Sequence, residues 1–275
     1  MARPTGACRL CLLMRPLCDS HLWPRQIYAL LHDPGDPKHF TLGNGRLTHT
    51  MKQMHEYLLC DECEERFNSG GERWVLANAL HPSGSFHLRD ALRAAKPFVT
   101  LEASVAYSGH ISGVDLDKLV YFAASMFWRT SVGMWTLADR WFGRDGKMNL
   151  GSRYSEEVRL YLLGKAPFPR NAVSVVYVSD EDAPHASVTF AAGGRQKEGH
   201  CSYSFQLPGL MFFLVLGQHI PDTIRGLCAV NNPVQRLVFL TKFPDEFTRR
   251  WTAEKMATLD PTALSKLPYP KRNRQ

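Results

Sequence analysis

Two cysteine pairs at one short spacing, Cys8 with Cys11 and Cys60 with Cys63, are the residues whose chemistry is easiest to name. Each C-x-x-C pair can present two thiolates from a tight turn, and four thiolates form a closed tetrahedral site that selects zinc over magnesium or calcium. The spacing therefore predicts one structural Zn2+ around which residues 1 to about 70 fold. A closed site leaves no position for a catalytic water, so any reaction must lie beside this metal. Cys18 and His21 offer an alternative fourth ligand, although two complete pairs need neither.

Between the pairs runs CDSHLWPR, with His21 followed at three residues by Pro24; the second pair is preceded by HEYLL and followed by EERF. In this order and composition, residues 8–75 resemble the HNH endonuclease family. The resemblance implies a treble-clef ββα-metal module, hydrolysis of phosphodiester bonds, and a catalytic Mg2+ or Mn2+. It implies that His21 is the general base and that Glu64 replaces the family's last asparagine as a metal ligand. His55 lies near the middle asparagine. Ser20 stands where the family has an aspartate, which removes a charged oxygen that a hard cation prefers. Asp19 can replace it, being two residues from His21 and so on the same face of an extended strand. Glu72 can replace it too, if the chain stays helical across Phe67 to Ser69 and kinks at Gly70 and Gly71. Taken without the resemblance, His21 serves equally well as a turn cap or a hydrogen bond to a zinc thiolate, and Glu64 as an acid in a helix's first turn.

Positioning these residues requires two modules. Residues 1–95 are dense in Cys, His and Pro, whereas residues 96–275 carry longer apolar elements and two scattered cysteines, Cys201 and Cys228, read as small buried hydrophobes. The segment His81 to Lys96 reads as a turn and a short joining helix. From Asp115, apolar residues recur at helical spacing (Leu116, Leu119, Val120, Ala123, Phe127), which predicts the central helix of the second module. A second helix is expected near Ser155 to Leu163. The runs Val173–Val178, Ser187–Ala191, Cys201–Gln206, Leu210–Leu216 and Leu237–Thr241 predict an antiparallel sheet, with the GGRQKEG stretch from Gly193 to Gly199 as a hairpin turn rather than a phosphate loop. Arg129, in an otherwise apolar helix, calls for a buried ion pair or carbonyl partners. The fold class expected is α+β.

Composition bounds the functional classes. With 44% apolar residues and 11% aromatics the chain can fill an ordinary core. No apolar run reaches eighteen residues, so no membrane span is expected. No apolar h-region follows the N-terminal charges, which makes a reducing cytoplasm the expected compartment and paired cysteines metal ligands rather than disulfides. The net charge of +7 suits a nucleic-acid partner, DNA or RNA, yet residues 1–95 carry 11 Lys and Arg against 10 Asp and Glu. Much of the excess lies in a basic run that begins at Lys242. His32, His39, His49 and His55 raise a second metal site as an alternative to a polar loop. Three functions follow: an HNH-like, metal-dependent nuclease of bacterial effector type; a non-catalytic zinc finger binding nucleic acid or protein; and an adaptor whose 96–275 module meets a protein partner.

Overall fold

The computed structural model describes residues 3–31, 39–43, 46–81, 83–137, 140–141, 148–182, 188–189, 191–196, 198–232 and 234–243; for 39–43, 46–49, 136–137 and 140–141 it describes the backbone alone. The basic run beyond Phe243 and the side chains of His32, His39 and His49 lie outside this description. The fold mixes helices with a large, mostly antiparallel sheet.

The chain opens with a hairpin of β1 (Thr5–Ala7) and β2 (Met14–Pro16), whose turn carries the first cysteine pair. That turn is closed by Leu12 N–H donating to the Cys8 carbonyl at 2.8 Å and Cys8 N–H to that of Leu13 at 2.9 Å, with Leu12 held at φ 66°. Next, β3 (Asp19–His21) pairs antiparallel with β6 (His55–Tyr57), and between them lie α1 (Arg25–Ala29) and a hairpin of β4 (His39–Gly43) and β5 (Arg46–Thr50). Two short strands of the second half, β9 (Thr136–Leu137) and β10 (Arg140–Trp141), complete a four-stranded sheet of order β10-β9-β6-β3.

The second cysteine pair leads into a helix because Asp61, Glu62 and Glu64 fill the first turn, where the unpaired amides favour acids. This α2 (Asp61–Phe67) passes through a π-helical turn, Asn68–Glu72, into α3 (Arg73–Asn78). Helical dihedrals persist across both junctions, so Gly70 and Gly71 widen the helix instead of breaking it. Their role is close approach. A Cβ on Gly71 would stand 2.7 Å from the Lys118 carbonyl oxygen and 2.8 Å from the Phe122 nitrogen, and one on Gly70 would meet the Tyr121 ring.

Those neighbours belong to α5 (Leu116–Val132), capped by the Asp115 carboxylate accepting from Lys118 N–H at 3.0 Å. Residues Leu116 through Arg129 are buried on nearly every side, with Asp117, Lys118 and Tyr121 outside that set, because α5 lies between the π turn and the main sheet. Preceding it, α4 (His87–Ala94) supplies the expected joining helix. Following it, α6 (Gly151–Leu162) begins four residues earlier than the sequence suggests, as the Asn149 side chain accepts from Gly151 N–H at 2.8 Å.

The main sheet has seven strands, ordered β12-β13-β14-β11-β15-β8-β7, from β7 (Val99–Thr100), β8 (Ser104–Ser108), β11 (Ala172–Ser179), β12 (Ala192–Arg195), β13 (Cys201–Leu207), β14 (Leu210–Leu216) and β15 (Leu237–Thr241). All neighbours are antiparallel except β11 and β15, which run parallel with Tyr177 opposite Phe239. Its inner face packs on α5 through Phe122 on Phe212 and Phe127 on Phe205, centroids 5.9 and 4.9 Å apart. The outer face is apolar too, through Val173, Val175, Val215, Leu237 and Phe239, and the short α7 (Asp222–Arg225) lies nearby. An open groove of about 370 Å³, lined by Val175, Tyr177, Met211, Phe213, Ile224 and Phe243, remains on that side. This explains why β11 reads as a continuous apolar run rather than an alternation.

The structure corrects three details. Of the strand expected at Ser187–Ala191, residues 187 and 190 lie outside the described residues and 188, 189 and 191 are in no strand; a strand forms at Ala192–Arg195, and Thr189 bonds Gln206 of β13 in both directions, at 3.0 and 2.8 Å. Within GGRQKEG the glycines Gly193 and Gly194 belong to β12, and Gln196 N–H donates to the His200 carbonyl at 2.7 Å. Cys228 is buried as expected, whereas Cys201 is only half-buried. The largest apolar cluster includes residues from Cys8 to Leu240 and therefore draws on both halves of the chain. Among the described residues, no helix is long and apolar enough to cross a membrane.

A cysteine quartet and the strand pair beside it

Cys8 and Cys11 sit on the first hairpin turn, Cys60 immediately precedes α2 and Cys63 lies in its first turn. Arg9 N–H donates to the Leu58 carbonyl at 3.1 Å and Cys18 N–H to that of Leu59 at 2.7 Å, so backbone bonds fix the two pairs face to face. The four sulfurs all lie within 4.8 Å of one another, with Cys11 and Cys60 at 3.9 Å. A tetrahedron of thiolates about 2.3 Å from a zinc ion has edges of about 3.8 Å, so the donors fit such an ion. The Cys60 amide points at the Cys8 sulfur, 3.4 Å away. The hydrogen bond from Cys63, together with amides at Cys11, Cys60 and Leu10, pulls the Cys8 thiol down to about 4 against the effect of burial. The same bond and burial push Cys63 up. Burial pushes the Cys60 thiol up as well, so without a cation it is Cys8 that is the thiolate of the group. Among the described residues, this quartet is the one group of three or more ligating side chains close enough to share an ion.

Cys18 stands apart from it. Its thiol donates to Asp61 at 3.1 Å and receives Arg3 at 3.6 Å, while burial and the Asp61 bond push it up to about 12. It therefore remains a protonated thiol.

On β3 the side chains alternate between two environments. Ser20 is 2% exposed, accepts from Leu59 N–H at 3.2 Å and donates its hydroxyl to Glu64 on α2. Asp19 and His21 take the other face. His21 lies directly opposite His55, their ring centroids 6.1 Å apart, and Asp19 Oδ1 holds His55 Nδ1 at 2.6 Å. His21 is half-buried; burial, and then the Arg25 charge, hold its imidazole below the usual histidine range. It is therefore neutral at pH 7 and able to accept a proton.

The structure thus divides the residues singled out in the sequence. Glu64 and Glu72 gather behind β3, and His21 faces Asp19 and His55. Glu72, on the π turn, is paired with Arg129 of α5 in a setting where its side chain is 12% exposed and that of Arg129 2%. Burial pushes the Glu72 carboxyl up, Arg129 opposes this, and the Glu64 charge adds to the push. The Asp19–His55 pair is the feature sequence reasoning missed. Its signal was the period-two alternation that already put Asp19 beside His21. Arg129 was visible as a guanidinium in need of a partner, but nothing in the spacing identified Glu72 as that partner.

Comparison with known proteins adds no relative: no protein-family model, no curated protein and no solved structure matches the chain.

Proposed function

We propose that the cysteine quartet holds a structural zinc ion in a treble-clef module, and that the β3–β6 pair beside it is an HNH-like site for metal-dependent phosphodiester hydrolysis. One observation carries the reading: a half-buried, neutral imidazole, His21, stands opposite a second one, His55, that a carboxylate, Asp19, orients. In this role His21 takes a proton from the attacking water, which histidine does efficiently near neutral pH. The pairing of β3 with β6 holds the imidazole in place, and the Ser20–Glu64 bond ties the strand to the zinc-clipped helix. Glu64 and Glu72 do not suit a hard cation, because one receives the Ser20 hydroxyl and the other is paired with Arg129. Asp19 and His55 suit it better: the bond between them uses Oδ1 and Nδ1 and leaves Oδ2 and Nε2, one oxygen and one nitrogen whose donor types are compatible with Mn2+ and, with added waters, Mg2+. Such an ion would supply neutralisation of the charge that develops on the phosphate.

The engagement of Glu64 and Glu72 favours a second reading, a zinc finger that keeps the HNH-like scaffold without its chemistry and binds nucleic acid or protein. The deciding experiment incubates wild type and His21→Ala with supercoiled DNA and structured RNA, in Mg2+, Mn2+ or EDTA. The nuclease reading expects cleavage that needs metal and falls at least about 100-fold in the variant, at unchanged zinc content. It also expects cleavage to decline as pH drops through the lowered His21 pKa, below about 6.5, as the base becomes protonated. No cleavage of either substrate by a protein with one zinc per chain selects the binding module.

A further inference from the structure

Arg129 sits in the last turn of α5, yet its guanidinium is among the most deeply buried groups in the protein. Nη1 donates to the backbone carbonyls of His21 at 3.2 Å and Leu22 at 3.4 Å, and Nη2 donates to Glu72. The Phe67 ring lies 4.6 Å from Cζ, and the Arg129 carbonyl receives the Trp135 indole N–H at 3.0 Å. Among the described residues, Nε has no hydrogen-bond partner.

One planar group therefore joins three segments: the helix that fills the second half's core, the π turn that follows the zinc-clipped helix, and the end of the strand that carries His21. Such an arrangement is costly, since an apolar side chain of similar volume often packs as stably as a buried ion pair. Its distinctive product is geometry. Leu22 N–H donates to the Met54 carbonyl at 3.0 Å, so the backbone at the end of β3 is held from β6's side by Met54 and from the core by Arg129. Lysine would keep the charge but has no planar fork to reach the carbonyls and the carboxylate together.

We propose that Arg129 is the positioning residue of the His21 site, through which the core helix α5 sets where the imidazole stands. The role rests on the hydrolytic reading only for what His21 does; the positioning itself is measurable without it. The test uses the full chain with bound zinc, as wild type, Arg129→Lys and Glu72→Gln, with Arg159→Lys as a comparison. Arg159 also reaches across the fold, donating to the Leu10 carbonyl at 2.6 Å, but that bond ends at the cysteine turn.

In Arg129→Lys, kcat for cleavage of supercoiled DNA should fall about 10- to 100-fold with KM within about twofold, as expected for a displaced base. NMR should show the His21 imidazole resonances shifted and the Leu22 amide exchanging at least about tenfold faster, with Cys60 and Cys63 amides in place. Glu72→Gln, which weakens the anchor and keeps the fork, should move the same resonances less, and Arg159→Lys should leave them still. Stationary His21 resonances in both Arg129→Lys and Glu72→Gln overturn the proposal, whatever their melting temperatures, because Arg129 would then be a packing residue. A wild type without nuclease activity removes the hydrolytic reading while the resonances still decide the positioning role.

Discussion

Replacing Gly71 by alanine sets two physical effects of opposite sign against each other. Gly71 lies in a helical segment, where alanine is favoured over glycine by about 1 kcal/mol. In an open helix the substitution would stabilise the protein. Here the new Cβ would stand 2.7 Å from the Lys118 oxygen, 2.8 Å from the Phe122 nitrogen and 2.9 Å from the Phe122 Cβ. Two of these are backbone atoms of α5, which the sheet holds from its other side, so the relief must come from moving two helices apart. Overpacking of this kind costs about 1–3 kcal/mol, and contacts with backbone on a fixed helix put the site near about 3. Subtracting the propensity gain leaves a net loss of about 2 kcal/mol, or roughly 4–8 °C in melting temperature at the scale of a chain this size. Gly70→Ala should lose less, because the atoms nearest its Cβ belong to the Tyr121 ring, a side chain anchored by a 2.7 Å bond to the Leu162 carbonyl but able to turn, rather than to backbone. Thermal unfolding of the full chain in buffer containing Zn2+, followed by circular dichroism, reads both. A melting temperature for Gly71→Ala at or above wild type would refute the close approach of the π turn to α5.

Two further outcomes follow from the cysteine turn. Cys60→Ser should lose the metal and leave the segment around the first hairpin and α2 open to limited proteolysis, since binding there contributes folding free energy; one tightly held zinc per chain in elemental analysis of the variant would contradict the four-cysteine assignment. Leu12→Gly should stabilise the protein by about 0.5 kcal/mol, because Leu12 is 60% exposed and held at φ 66°, a region that glycine occupies without the Cβ clash; a lower denaturation midpoint would show that the side chain contributes contacts worth more than that strain.

What the sequence disclosed is what local chemistry dictates. The cysteine spacing led to four sulfurs that do converge. Asp115 was legible as a helix start because an N-cap acts over three residues, and β14 and β15 were bounded correctly because β-branched and aromatic runs ended at turn residues. What escaped depended on partners far along the chain. β8 carries only five residues and no strong alternation, and it becomes a strand by pairing with Leu237 to Thr241. The parallel contact of β11 with β15 has no local signature at all. Around the candidate site, alternation placed Asp19 beside His21, but the separation of Glu64 and Glu72 from that face follows from Ser20 turning inward and from Arg129 claiming Glu72. Both are tertiary choices of a buried polar group seeking a partner.

The strand order also bears on how the chain matures during synthesis. β15 is the last described strand, yet it is no edge: it enters between β11 and β8, with Leu237 opposite Ser108 at a separation of 129 residues. Until it is made, β7 and β8 have no neighbour in the rest of the sheet, and α5 covers an incomplete floor. Non-local closure of this kind is slow and leaves an unpaired strand and apolar side chains exposed in the meantime. A nascent chain therefore carries a finished cysteine turn at its front long before its core can shut, and a chain cut short of Leu237 keeps β8 as an open edge for chaperones or other unfolded chains to occupy.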